Sequence, residues 1–66
     1  MNPEEFERKW KAIGRKYKRV GIGDTYVYAT RYEIIPGGAL GMTTLTLWVD
    51  SRPLPSYTLS EVTRIE

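Results

Sequence analysis

Sixty-six residues make one small domain, residues 1–66, and a chain that short buries only about 60% of the surface it exposes when unfolded, so its core is marginal. It contains no Cys and no His, which removes disulfides, thiolate metal sites, the commonest metal ligand and the usual general base near neutral pH. With 41% hydrophobic and 27% charged residues and a net charge of only +2, the chain is globular rather than disordered. The charge is unevenly placed, because seven of the ten Lys and Arg residues fall between Arg8 and Arg19.

The first predicted element is a helix over residues 3–13. Asn2 is a suitable N-cap, Pro3 takes the first helical position where proline is tolerated, and Glu5 stands at capping-box spacing from Asn2. Met1 and Phe6 occupy the two staple positions around that box. Phe6, Trp10 and Ile13 form one apolar stripe at helical spacing, and Gly14 is the stop. Glu4–Arg8, Glu5–Lys9 and Glu7–Lys11 are each spaced i,i+4 with the acid first, the favourable order for helix-stabilising pairs.

Beyond Gly14 the hydrophobic period becomes two. A strand is expected over residues 15–20, a turn at Gly21-Ile22-Gly23-Asp24, and a long β-prone run from Thr25 to Ile35. Residues 36–41 are a loop rich in Gly and Pro. Thr43 to Val49 is the cleanest strand, with Leu45, Leu47 and Val49 on one face and Thr44, Thr46 and Trp48 on the other. Pro53 and Pro55 break the next segment, since proline cannot donate to a ladder. Tyr57-Thr58-Leu59 and Thr63-Arg64-Ile65 are short strands on either side of one tight turn. A leading helix, short strands and no room for crossover helices specify an α+β, mainly β fold with four or five antiparallel strands. Phe6, Trp10 and Ile13 are expected to pack on Leu45, Leu47 and Val49.

The tail from Tyr57 to Ile65 resembles the closing segment of many SH3-like small barrels, in which a strand, one tight turn and a last strand seal the barrel. The resemblance covers residues 15–66 as an architecture and only the tail as a pattern. It implies a small barrel; the alternative is a curled or open antiparallel sheet with the helix packed on one face.

Two features bear on function. Arg15, Lys16, Tyr17, Lys18 and Arg19 have no acidic neighbour at helical spacing and form a candidate phosphate-contacting segment, with Lys16 and Lys18 on one strand face and Arg15, Tyr17 and Arg19 on the other. Its bland counterpart is an edge strand guarded by positive charge. Tyr26, Tyr28 and Tyr32 share one face of an ideal strand, and together with Trp48 they make a candidate aromatic interaction surface. Here the bland counterparts are a strand that bends at a bulge so that both faces pack, and burial of Trp48 against Phe6 and Trp10.

Enzyme motifs fail in turn. Gly21-x-Gly23 has Tyr26 where a dinucleotide loop needs glycine, and Gly37-Gly38-x-x-Gly41 lacks the Lys-Ser/Thr of a phosphate loop. Asp24 and Asp50 border turns, where Asp is favoured for backbone reasons. The expectation is a non-catalytic module without cofactor or metal. Its partner is nucleic acid or, alternatively, a protein target, as for a small inhibitor carried by a phage or mobile element. A homodimer is a further expectation. No apolar run reaches membrane-spanning length and no signal peptide is visible, so no membrane partner and a cytoplasmic location are expected.

Overall fold

A computed structural model describes residues 1–38 and 41–66; Ala39 and Leu40 of the expected Gly-rich loop lie outside the described residues. Helix α1 spans Pro3–Ala12. The Asn2 side chain caps it by accepting a 2.7 Å hydrogen bond from the Glu5 backbone N–H, which satisfies one of the orphan donors of the first turn. The Glu5 side chain does not complete the expected box but sits 3.8 Å from Lys9. Of the three expected helix pairs, this is the one within ion-pair distance.

Seven strands follow in the described residues: β1 (Lys18–Ile22), β2 (Thr25–Ala29), β3 (Arg31–Ile35), β4 (Thr44–Val49), β5 (Arg52–Pro53), β6 (Tyr57–Thr58) and, after a 3₁₀ turn at Leu59–Glu61, β7 (Val62–Ile65). They exceed the expected four or five because the run 25–35 is broken at Thr30 and because a two-residue strand forms at Arg52–Pro53, in the segment expected to be a connection. All pairings are antiparallel. One sheet has the order β2-β1-β7; the other has the order β3-β4-β5, with β6 also paired to β4. The two sheets do not close into a barrel; the fold is the curled-sheet alternative. No helix among the described residues is long and apolar enough to cross a membrane.

The turns have local causes. Gly23 and Asp24 link β1 and β2 as a two-residue hairpin, and Gly23 adopts φ 57°, the left-handed backbone that such turns require at the first central position. Asp50, the first residue between β4 and β5, also adopts φ 57°. Its backbone N–H donates to Thr30 Oγ1 at 2.9 Å, tying that corner to the β2–β3 junction.

The core joins Phe6 and Trp10 of α1 to Val20, Ile22 and Ala29, to Leu45 and Leu47, and to Leu59 and Val62. Phe6, Trp10, Leu45 and Leu47 all enter this core as expected, although the strand that the helix backbone approaches most is β7. Ile13 and Val49 are half-buried and lie outside this cluster. Ile13 ends the helix as its extended C-cap, and Val49 immediately precedes the Asp50 turn. Half-buried Tyr32 packs a third aromatic ring against this core. It meets Phe6 and Trp10 edge-on, with centroids 5.0 and 4.9 Å away, the geometry that aromatic quadrupoles favour.

Candidate functional site

The strand expected over residues 15–20 begins only at Lys18, and Arg15, Lys16 and Tyr17 form a bend. The five candidate residues therefore do not alternate on two faces. Tyr17 donates its hydroxyl to the Asp50 carboxylate at 2.9 Å, and Lys16 lies 3.5 Å from the same carboxylate. Lys18 turns the other way: its ammonium donates to the Arg15 carbonyl at 2.7 Å and stands 4.8 Å from the centroid of the Trp10 ring. Three of the five thus fasten the bend to the β4–β5 corner and to the helix. Arg19 remains on the outer face of the first sheet, and Arg15, in the bend, lines a recess beside it.

That face is built by register. In β2-β1-β7, Gly21 stands opposite Tyr26 on one side and opposite Arg64 on the other. Arg19 stands opposite Tyr28, and across its other edge Arg19 and Glu66 exchange backbone hydrogen bonds of 2.8 Å. Two transverse rows result, Tyr26–Gly21–Arg64 and Tyr28–Arg19–Glu66. The alternate residues Val20, Ile22, Ala29 and Val62 point inward and are buried. A bulge at Thr63, between the Ile22–Val62 and Gly21–Arg64 pairs, adds one outward side chain.

Tyr26 and Tyr28 are 52% and 49% exposed and meet edge-on, with centroids 5.6 Å apart. The Arg19 guanidinium lies 5.0 Å from the Tyr26 centroid and binds the Glu66 carboxylate through a short charge-assisted hydrogen bond. The other oxygen of Glu66 receives Arg64 Nε at 3.0 Å. The hydrogen bond from Arg19, and then the charges of Arg19, Arg64 and Arg15, hold the Glu66 carboxyl below its ordinary pKa, although partial burial opposes them. The same hydrogen bond and the charge of Glu66 raise the Arg19 pKa. Two shallow recesses flank this pair. One, of about 270 Å³, runs over Gly21 between Tyr26 and Arg64, with Asp24 at its rim. The other, of about 300 Å³, lies among Arg15, Arg19, Tyr28 and Glu66. Both fall at or below the low end of the range of about 300–1,000 Å³ typical of small-molecule pockets. The surface suits an extended ligand lying across it better than an enclosed one.

The expected four-ring patch of Tyr26, Tyr28, Tyr32 and Trp48 does not form. Side chains alternate out and in as far as Ala29, and the alternation reverses at Thr30, where the strand leaves the first sheet for the second. A shift of one residue exchanges the two faces of a strand, so Tyr26 and Tyr28 stay outside while Tyr32 enters the core. Trp48 is half-buried on the outer face of the second sheet, opposite to Leu45 and Leu47 as expected. Its ring is covered by the guanidinium of its cross-strand neighbour Arg31, 4.1 Å from the centroid. The place beside Phe6 and Trp10 that Trp48 would otherwise fill belongs to Tyr32.

Arg64, Glu66 and Gly21 complete the site but carry no local sign of doing so. The outward position of Arg64 follows from the period-two reading of the tail; its place beside Arg19 depends on the β1–β7 pairing. No protein-family model, curated protein or solved structure matches this chain.

Proposed function

We propose that the chain is a small, non-catalytic nucleic-acid-binding module that holds a single strand across the outer face of β2-β1-β7. The observation that carries this reading is the placement of Arg15, Arg19 and Arg64 beside two exposed tyrosines on one sheet face. Guanidinium groups match phosphate oxygens in geometry as well as charge. An exposed phenol ring offers a base a stacking surface worth about 1–3 kcal/mol. Lys16, Tyr17 and Lys18 contribute by anchoring the bend that carries Arg15.

The test is binding of a mixed-sequence single-stranded oligonucleotide at several salt concentrations. Engagement of about three phosphates predicts a slope of log affinity against log salt near −2. Replacing Arg15 and Arg64 together with alanine is expected to flatten that slope, and Tyr26→Ala with Tyr28→Ala to weaken binding at every salt concentration. Absence of binding at low salt overturns the reading.

A second reading rests on Trp48 and Arg31. This stacked pair on the outer face of the other sheet has the composition of a protein-interface hot spot and supports contact with a protein target or a second copy of the chain. Sedimentation and melting of Trp48→Ala separate the cases. Weakened association with an unchanged melting temperature supports an interface, and unchanged association with a lowered one assigns the ring to packing.

A further inference from the structure

The Glu66 carboxylate stands where a ligand's charge belongs. Arg19 and Arg64 approach it from two sides, each binding a different oxygen with the charge-assisted chemistry that serves a carboxylate or a phosphate alike. Arg15 adds its charge to the same carboxylate and lines the neighbouring recess. The two recesses have Arg19 and Glu66 in common, so the carboxylate stands at their junction and divides one trough into two. The side chains of Arg19, Glu66 and Arg64 are 34%, 40% and 69% exposed, so water reaches all three, and the Arg64 contact, the more exposed of the two, opens at little cost. The Glu66 backbone is held separately by its exchange of hydrogen bonds with Arg19, and its side chain can swing away without unpairing the strands.

Gly21 keeps the trough low. A Cβ at this position would lie 2.7 Å from Thr63 Oγ1 and 3.1 Å from Arg64 Cγ. A side chain here would press on Thr63 first and on the stem of Arg64 second, and glycine leaves both undisturbed.

We propose that the junction of Arg19, Arg64 and Arg15 is a phosphodiester subsite, and that Glu66 is a resident anion which a backbone phosphate of the bound strand displaces. This deepens, and rests on, the single-strand reading above. A carboxylate that competes with the ligand has an unusual signature: removing its charge strengthens binding. Glu66→Gln is expected to tighten binding of a single-stranded oligonucleotide by about three- to tenfold. Glu33→Gln makes the same change of net charge on the exposed outer face of the other sheet and is expected to alter it by less than about twofold. Glu66→Asp keeps the charge but shortens its reach, and should fall between wild type and Glu66→Gln. In parallel, the Nε–Hε NMR signals of Arg19 and Arg64 are followed while inorganic phosphate is added to wild type and to Glu66→Gln. Both signals should shift at lower phosphate in the variant.

The outcomes separate the two claims. If wild type binds the oligonucleotide but Glu66→Gln matches Glu33→Gln, the displaced-anion inference is wrong while the single-strand reading stands. If phosphate shifts the two arginine signals more readily in Glu66→Gln but no oligonucleotide binds, Glu66 is a displaceable anion at a phosphate site, and the assignment to a strand's phosphodiester falls with the nucleic-acid reading. If neither phosphate nor oligonucleotide perturbs the arginines, both are overturned.

Discussion

Gly21 and Tyr32 show how single positions set the surface and the core. At Gly21 a methyl group must displace Thr63 or Arg64, and crowding of this kind typically costs about 1–3 kcal/mol. Gly21→Ala is therefore expected to lower the unfolding midpoint in urea. Thr63→Ala in the same chain should restore part of it, because the nearer obstacle is the Thr63 hydroxyl; additivity in the double-mutant cycle would refute the contact. Tyr32 makes a prediction in pH. Burial first, and then the negative charge of Glu7, raise its hydroxyl pKa above the ordinary value. The folded state then keeps the proton after the unfolded chain has lost it, so stability is fully present below about pH 10 and declines as pH rises through the folded value. Tyr32→Phe should abolish that part of the alkaline decline, which melting curves between pH 8 and 11 would reveal. At this scale the sequence was informative where a residue's neighbours are local. Arg15, Arg19, Tyr26 and Tyr28 are identifiable from charge and alternation alone. Arg64 and Glu66 are not, because they meet Arg19 across more than forty residues of chain.

Among the elements, the junction at Thr30 decides which aromatic rings are surface and which are core. Its backbone N–H donates to the Trp48 carbonyl at 2.7 Å. Its hydroxyl donates to the same carbonyl at 3.3 Å and accepts from the Asp50 N–H at 2.9 Å. One side chain thus holds both the corner between the sheets and the left-handed turn after β4. Thr30→Val keeps the shape and removes both hydroxyl contacts, at an expected cost of about 1–2 kcal/mol by chemical denaturation. Thr30→Ser should be much milder, and equal effects of the two would refute a role for the hydroxyl. Helix α1 gives a parallel case: Asn2→Ala loses the cap and is expected to cost about 1 kcal/mol. The helix, its cap and strand β4 are legible because caps and periodicity are local signals. The reversal at Thr30 is not, since Thr25 to Ile35 reads as one uninterrupted β-prone run and only the competition of two sheets for that run introduces the corner. The late start of β1 is not legible either: residues 15–17 have strand-like sequence, but Lys16 and Tyr17 reach the Asp50 carboxylate at the β4–β5 corner.

For the molecule as a whole, helix α1 contributes two of the nine buried core side chains among the described residues, and domains of this size have little stability in reserve. Trp10 and Phe6 are the helix's contribution, so Trp10→Ala is expected to cost about 3–5 kcal/mol. A sharp, cooperative melt of that variant near the wild-type temperature would disprove the central place given to the ring. The architecture, a leading helix with antiparallel strands, follows from composition and chain length. The division into two sheets does not, because it depends on which distant strands meet.

The two tryptophans stand under different cations, Trp10 beneath the ammonium of Lys18 and Trp48 beneath the guanidinium of Arg31, and this gives the protein two separate optical reporters. Trp10 is buried in the core between helix and strands, whereas Trp48 lies on the outer face of the sheet that does not carry the arginine trough. With phenylalanine at position 10, the remaining emission reports on the Arg31 stack; with phenylalanine at position 48, it follows unfolding of the core. A strand laid across Tyr26 and Tyr28 should leave the Trp48 signal unchanged, and a protein seated on the opposite face should move it, so a colour shift alone tells which side of the molecule is occupied.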